Sequence, residues 1–365
     1  MSSSTNFQKF TLAAVAILFV TAQSLQAQVI FEDGNTSVVD SALTDYIIVR
    51  DSATNTSTTV LIETGADIPT FDPDDQDTSV MVEGTSIVEM SGGTTVGGFN
   101  MCDSAIGIFT GGIVGDEVQL FGDSFMTIGT PEGMAMVLDI QDDLELADNS
   151  MVDMYEGRVF DDVETTGSSI LNIFGGEYDE DIEAFDTSTI NIFGGVFSTG
   201  FGDLDDIEGG EIAVEDNEDA DGNPIPNAAT VNIHGGTFVG SLFDPDFCAE
   251  SDGVMTIFGS DFAIDGVPVP FGPITVATGI LTGILEDESE LNNDFEIDGN
   301  AQIILAEGGV LLGDVNCDGE VDLLDVAPFV DLVTEAGFSV KADINQDRTV
   351  DLLDVAPFVE LLTGG

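Results

Sequence analysis

ILNIFGGEY (Ile170–Tyr178) and TINIFGGVF (Thr189–Phe197) are the same phrase written twice, nineteen residues apart. Further copies are MVDMYEGRVF (Met151–Phe160), TVNIHGGTF (Thr230–Phe238) and VMTIFGSDF (Val254–Phe262). Weaker ones are IVEMSGGTT (Ile87–Thr95), AIGIFTGGI (Ala105–Ile113) and FMTIGTPEG (Phe125–Gly133). The phrase returns mostly every 18 to 26 residues. A fixed period near twenty, carrying one short alternating strand and one glycine turn, marks a solenoid. One longer interval, from Gly195 to Gly236, spans 41 residues and fits two coils, with Ile212 and Val214 in the second.

Strand alternation assigns the faces. Val152, Leu171, Ile190, Val231 and Met255 share one inward position, and Met154, Ile173, Ile192, Ile233 and Ile257 share the next. Asp153, Asn172, Asn191, Asn232 and Thr256 fall between them and point outward. Gly-Gly pairs (Gly175-Gly176, Gly194-Gly195, Gly235-Gly236) let the chain turn close to its neighbour coil. Val159, Tyr178, Phe197, Phe238 and Phe262 form another apolar row beyond the turn. The predicted fold is mainly β: a parallel β-helix, right-handed, of about ten coils and about 50 Å in length. An RTX solenoid is a rival, but its GGxGxD nonapeptide is absent; a β-sandwich suits short strands without explaining the recurring phrase. Gly279–Leu305 reads as a closing strand pair that caps the open end. Acidic stretches at Asp72–Asp77, Asp203–Glu211 and Glu215–Asp221 read as corner loops.

Outside the repeat, two features stand at the chain ends. Lys9 precedes an apolar run, Phe10–Val20, followed by small and polar residues, the pattern of an export signal over residues 1–27 with cleavage after Ala22 or Ala27. The run is too short to span a membrane, so a secreted or surface-held protein is expected, with no transmembrane segment. At the other end, GDVNCDGEVDLLDVAPFV (Gly313–Val330) and ADINQDRTVDLLDVAPFV (Ala342–Val359) are offset by 29 residues and share the run DLLDVAPFV. From Asp314, oxygen-bearing side chains fall at loop positions 1, 3, 5, 9 and 12: Asp314, Asn316, Asp318, Asp322 and Asp325. The second copy gives Asp343, Asn345, Asp347, Asp351 and Asp354. Position 7 (Glu320, Thr349) adds a backbone carbonyl, and the spacing wraps the chain around one hard cation, Ca²⁺. Two ions are expected, the second held more weakly. Position 6 is Gly319 in one loop but Arg348 in the other, where the turn favours φ > 0.

The duplicated loop resembles the type I dockerin domain, in which each half is a calcium loop with only its exiting helix and with Asp at position 12. The resemblance covers residues 313–365 and implies docking onto a cohesin-like module of another protein, often in polysaccharide degradation. Leu323-Leu324 and Leu352-Leu353 occupy the family's partner-reading positions, where small or hydroxyl residues are commoner, and Val330-Asp331 and Val359-Glu360 replace its usual basic residues. The Leu pairs are either a partner anchor or the packing between the two halves. Pro328 and Pro357 suit a first helical turn, so each helix is expected to start near Asp325 or Asp354. Phe329, Val330, Leu332 and Val333 are then spaced as one apolar face, repeated by Phe358, Val359, Leu361 and Leu362. Three domains follow: residues 1–27, the repeat at 28–312, and the tail at 313–365.

With a formal net charge of -65 and five basic residues, the chain repels phosphate backbones, which argues against nucleic-acid binding. Such charge also resists compaction unless cations screen it. Three cysteines, Cys102, Cys248 and Cys317, are too few for a disulfide framework, and Cys102 and Cys248 stand too many coils apart to bond. Two functions remain open. One is a structural or adhesive rod attached to a partner through its tail. The other is a carbohydrate-active enzyme, a glycoside hydrolase or polysaccharide lyase, delivered by the same tail. A lyase of this fold needs a cationic base, and the repeat offers only Arg50 and Arg158. The single histidine, His234, falls in a row with Tyr155, Phe174, Phe193 and Phe258 and reads as packed, with no GxSxG elbow to serve. An inverting glycosidase needs only two carboxylates at a suitable separation, and among 70 acidic residues the pairs Asp142-Asp143, Asp161-Asp162 and Asp205-Asp206 are candidates in name only. The chain has no Trp for stacking on sugar rings.

Overall fold

The computed structural model describes residues 28–70, 78–130, 138–198, 210–215, 217–218, 224–225, 228–240 and 245–308. In the tail it describes 312–313, 315, 321, 323, 325–335, 341–342, 344, 350 and 352–363. The export-signal residues and most of the acidic loop segments lie outside that set.

The chain is mainly β, with 31 strands in one long sheet. Its strands fall into three columns visited in turn, each strand pairing in parallel with its equivalent one coil along. The first column carries the repeated phrase and runs through eleven strands, from Thr36–Val39 to Gln302–Glu307. The second holds the short strands beyond the glycine turn, such as Glu177–Tyr178 and Val196–Ser198. The third starts at Val29–Phe31 and passes through Leu144–Leu146, Val163–Thr165 and Ile182–Ala184. This pairing is compatible with a parallel β-helix, whereas a sandwich would be built from antiparallel neighbours.

The face assignment holds residue by residue. Both inward rows, Val152–Leu171–Ile190–Val231–Met255 and Met154–Ile173–Ile192–Ile233–Ile257, are 0% exposed and belong to one continuous core. The outward amides bond to each other from coil to coil: Asn172 Nδ2 donates to Asp153 Oδ1 (2.8 Å), Asn191 to Asn172 (2.8 Å) and Asn232 to Asn191 (2.9 Å). Tyr178, Phe197 and Phe238 stack with ring centroids 5.0 and 4.9 Å apart. In-register parallel pairing places identical residues one strand spacing apart, which matches the thickness of stacked rings and the reach of an amide ladder.

The long interval is corrected. Thr189–Ile192 pairs directly with Thr230–Ile233, and Val196–Ser198 with Thr237–Val239. The 41 residues from Gly195 to Gly236 are therefore one coil with an insertion. Ile212 and Val214 belong to that same coil but to the third column, against Ile182–Ala184 and Phe247–Ala249.

Between the third and first columns the chain turns through one left-handed residue per coil. Gly84, Asp103, Gly122, Asp148, Gly167 and Asp186 alternate there, with φ between +59° and +73°. Glycine and aspartate tolerate this region better than other residues. Each aspartate carboxylate accepts a hydrogen bond from the glycine amide one coil back: Gly84 to Asp103 (3.1 Å), Gly122 to Asp148 (3.0 Å), Gly167 to Asp186 (3.0 Å).

Near the end of the coil stack lies an antiparallel hairpin, Thr278–Leu285 with Glu290–Ile297, whose second strand also extends the third column in parallel from Phe247–Ala249. Gln302–Glu307 is not part of that hairpin and adds a last parallel strand to the first column. In the tail, helices α1 (Val326–Glu335) and α2 (Val355–Thr363) begin one residue after Asp325 and Asp354.

Candidate cation sites

The third column carries an acidic ladder. Asp143, Asp162 and Asp181 each precede a strand, and Glu145, Glu164 and Glu183 point outward from the strand centres, in register from coil to coil. The corner aspartates are tied to backbone: Asp143 Oδ1 accepts the Asp162 N–H and Asp162 Oδ1 accepts the Asp181 N–H, both at 3.1 Å. Gln119 precedes Glu145 in the outward row and donates to its Oε2 (2.8 Å), whereas Ala213 and Cys248 continue the row after Glu183.

These carboxyls are partly buried and face each other, and both effects disfavour charge. Burial first, then neighbouring carboxylates, push Asp143 and Asp162 up to about 7 and Glu164 up to about 8. Asp142 is pushed up to about 8 by burial and by Asp116, Asp143 and Asp161, and Glu183 is raised well above the usual range, first by burial and then by Glu215. Two escapes from the repulsion exist: uptake of protons, or of a hard cation that takes oxygen ligands. Among the described residues, two groups bring one oxygen from each member to within 4.8 Å of the others: Glu117, Asp143 and Glu145; and Asp142, Asp143 and Asp161.

The sequence carried a signal for this ladder that the glycine phrase overshadowed. DLE (Asp143–Glu145), DVE (Asp162–Glu164) and DIE (Asp181–Glu183) recur at offsets of nineteen. Asp142-Asp143 and Asp161-Asp162, read as possible catalytic pairs, are members of this periodic array.

In the tail, Asp314, Asn316, Asp318, Glu320, Asp322, Asp343, Asn345, Asp347, Thr349, Asp351 and Leu324 lie outside the described residues. Asp325 and Asp354 are described and are both 0% exposed. Their carbonyls accept the first helical hydrogen bonds, from Phe329 (3.0 Å) and Phe358 (2.9 Å). Phe329 and Phe358 stack at 4.0 Å and, with Ala342 and Val350, make a second, separate core. Among the described members of the Leu pairs, Leu323, Leu352 and Leu353 are 80%, 78% and 66% exposed. Val330, Val359 and Leu361 are also exposed, so the inward face is narrower than the spacing suggested and consists of Phe329, Leu332, Val333, Phe358 and Leu362.

His234 stacks between Phe193 (4.8 Å) and Phe258 (4.2 Å), and its Nδ1 lies 2.7 Å from Glu286 Oε2. Arg158 is held by Asp179, to which its Nε donates at 2.9 Å, and lies 4.0 Å over the Phe160 ring. Arg50 pairs with Glu32. Each cationic candidate is thus engaged by a neighbour. The Cys102 and Cys248 thiols are free, and Cys317 lies outside the described residues. No helix among the described residues is long and apolar enough to cross a membrane.

No protein family, curated protein or solved structure matches the chain.

Proposed function

We propose that this is a secreted, calcium-dependent structural protein: a right-handed parallel β-helix rod with an acidic surface, attached by its dockerin-like tail to a cohesin-like module of a partner. The observation that carries the reading is the equivalence of the two tail halves. Each places its position-12 aspartate, Asp325 or Asp354, out of solvent at the start of a helix, and the two helices meet through stacked Phe329 and Phe358. In calcium-loop spacing, position 12 is where the residue ending the loop meets the ion, and in both halves that residue is out of solvent. The exposed Leu323, Leu352 and Leu353 then serve as the partner anchor, since large apolar side chains left in water near a docking motif mark an interaction surface. The described carboxylates of the acidic ladder follow the coil repeat, as a regular rod surface would.

The test is a calcium titration by calorimetry on the full chain and on an Asp314→Ala, Asp343→Ala double variant. The reading expects two saturable sites present in the first and lost from the second. Identical isotherms would sink it, leaving the tail loops merely acidic.

A further inference from the structure

Among the described residues, Glu286 lies against two nitrogen-bearing side chains, His234 and Lys341. Glu286, 10% exposed, has His234 Nδ1 at 2.7 Å from Oε2 and Lys341 Nζ at 3.9 Å from Oε1; Lys341 is itself only 14% exposed. The three residues come from different parts of the fold. His234 belongs to a coil turn, Glu286 to the tip of the closing hairpin, and Lys341 to the tail, two residues before the second calcium loop begins.

Each link is fastened on both sides. The hairpin tip is pinned to the coil turn, since Asp287 N–H donates to the His234 carbonyl (3.2 Å) and Gly236 N–H donates to Asp287 Oδ2 (2.9 Å). On the tail side, the Lys341 carbonyl accepts the Gly313 N–H (2.8 Å), and Gly313 immediately precedes Asp314. Lys341 thus ties the entrances of both calcium loops together through its backbone and ties them to the hairpin through its side chain. Placing these charges largely out of water costs free energy unless they stay paired, so the arrangement holds only while the tail sits on the cap.

We infer that Glu286 and Lys341 form a latch that couples calcium loading of the tail to the closing hairpin of the coil stack. The inference rests on the calcium reading of the tail and adds that the tail is no freely swinging appendage. Coupling of this kind is reciprocal: if docking Lys341 on Glu286 favours the calcium-bound loops, calcium must in turn steady the hairpin.

The experiment uses the full chain and three variants: Glu286→Gln, Lys341→Met, and the two together. Calcium affinity is read by calorimetry, and amide exchange is followed at the hairpin tip, residues 286–289. Glu286 lies outside both loops in the sequence, and the double variant and the exchange readout separate coupling from a plain charge effect. The latch predicts that Glu286→Gln weakens calcium binding by about two- to tenfold. It also predicts that the double variant is no worse than the singles, and that calcium slows exchange at the tip in the wild type only. Wild-type calcium affinity in both single variants, with tip exchange indifferent to calcium, would overturn the latch and leave the calcium loops standing. A wild-type chain whose tail takes no calcium would overturn both readings together.

Discussion

Asp148 holds φ +59° at a corner whose neighbours one coil away, Gly122 and Gly167, also turn left-handed. Its carboxylate accepts the Gly122 N–H at 3.0 Å, which spares it much of the cost of that backbone. Asp148→Gly is therefore expected to be mild, while Asp148→Ala keeps a Cβ in a strained region, loses the bond, and costs about 1–3 kcal/mol by denaturant unfolding. Nothing in the local sequence separates this aspartate from the other acidic residues; only its place in the coil does. Glu164 shows the same limit. Its carboxyl is pushed up to about 8, first by burial and then by Glu145, Asp143, Asp162 and Glu215. A carboxyl whose folded value lies above its ordinary one near 4 binds its proton more tightly when folded. Its stabilising contribution is thus complete in acid and is lost as pH rises from about 4 through about 8. In chelator, the thermal midpoint should climb as pH falls from 8 toward 5. Glu164→Gln, which fixes the uncharged form, should flatten that dependence; an unchanged slope would contradict the account.

The glycine phrase was the most legible element, because it carries its own alternation, turn and aromatic terminus in nine residues. Phe197, stacked between Tyr178 and Phe238 and 1% exposed, is a member of that terminus. Phe197→Ala should cost about 3–5 kcal/mol, since it empties a buried ring position with partners on both sides. The turn has its own demand: Gly195 has φ +113°, and a Cβ on the adjacent Gly194 would lie 2.7 Å from the Phe174 carbonyl oxygen. The acidic ladder was less legible than the phrase for a physical reason. Its DLE, DVE and DIE copies are short and polar, and in a chain with seventy acidic residues their meaning appears only when parallel pairing puts them in register. The insertion after Phe197 misled for a related reason. Ile212 and Val214 look like the phrase's apolar pair, but they lack a glycine turn and pair with the third column.

At the scale of the molecule, a formal charge of -65 opposes compaction, and the coil stack answers with an uninterrupted apolar core and with backbone pairing through eleven strands per long column. Cations in the medium screen what charge remains. On the proposed function, calcium in the two duplicated loops organises the tail into its docking form. The measurement that tests it most directly is amide exchange of α1 and α2 in the full chain, with calcium and with chelator, alongside the Asp314→Ala, Asp343→Ala variant. The account predicts that both helices are protected by calcium in the wild type and lose that dependence in the variant. Helices equally protected with and without calcium in the wild-type chain would contradict it.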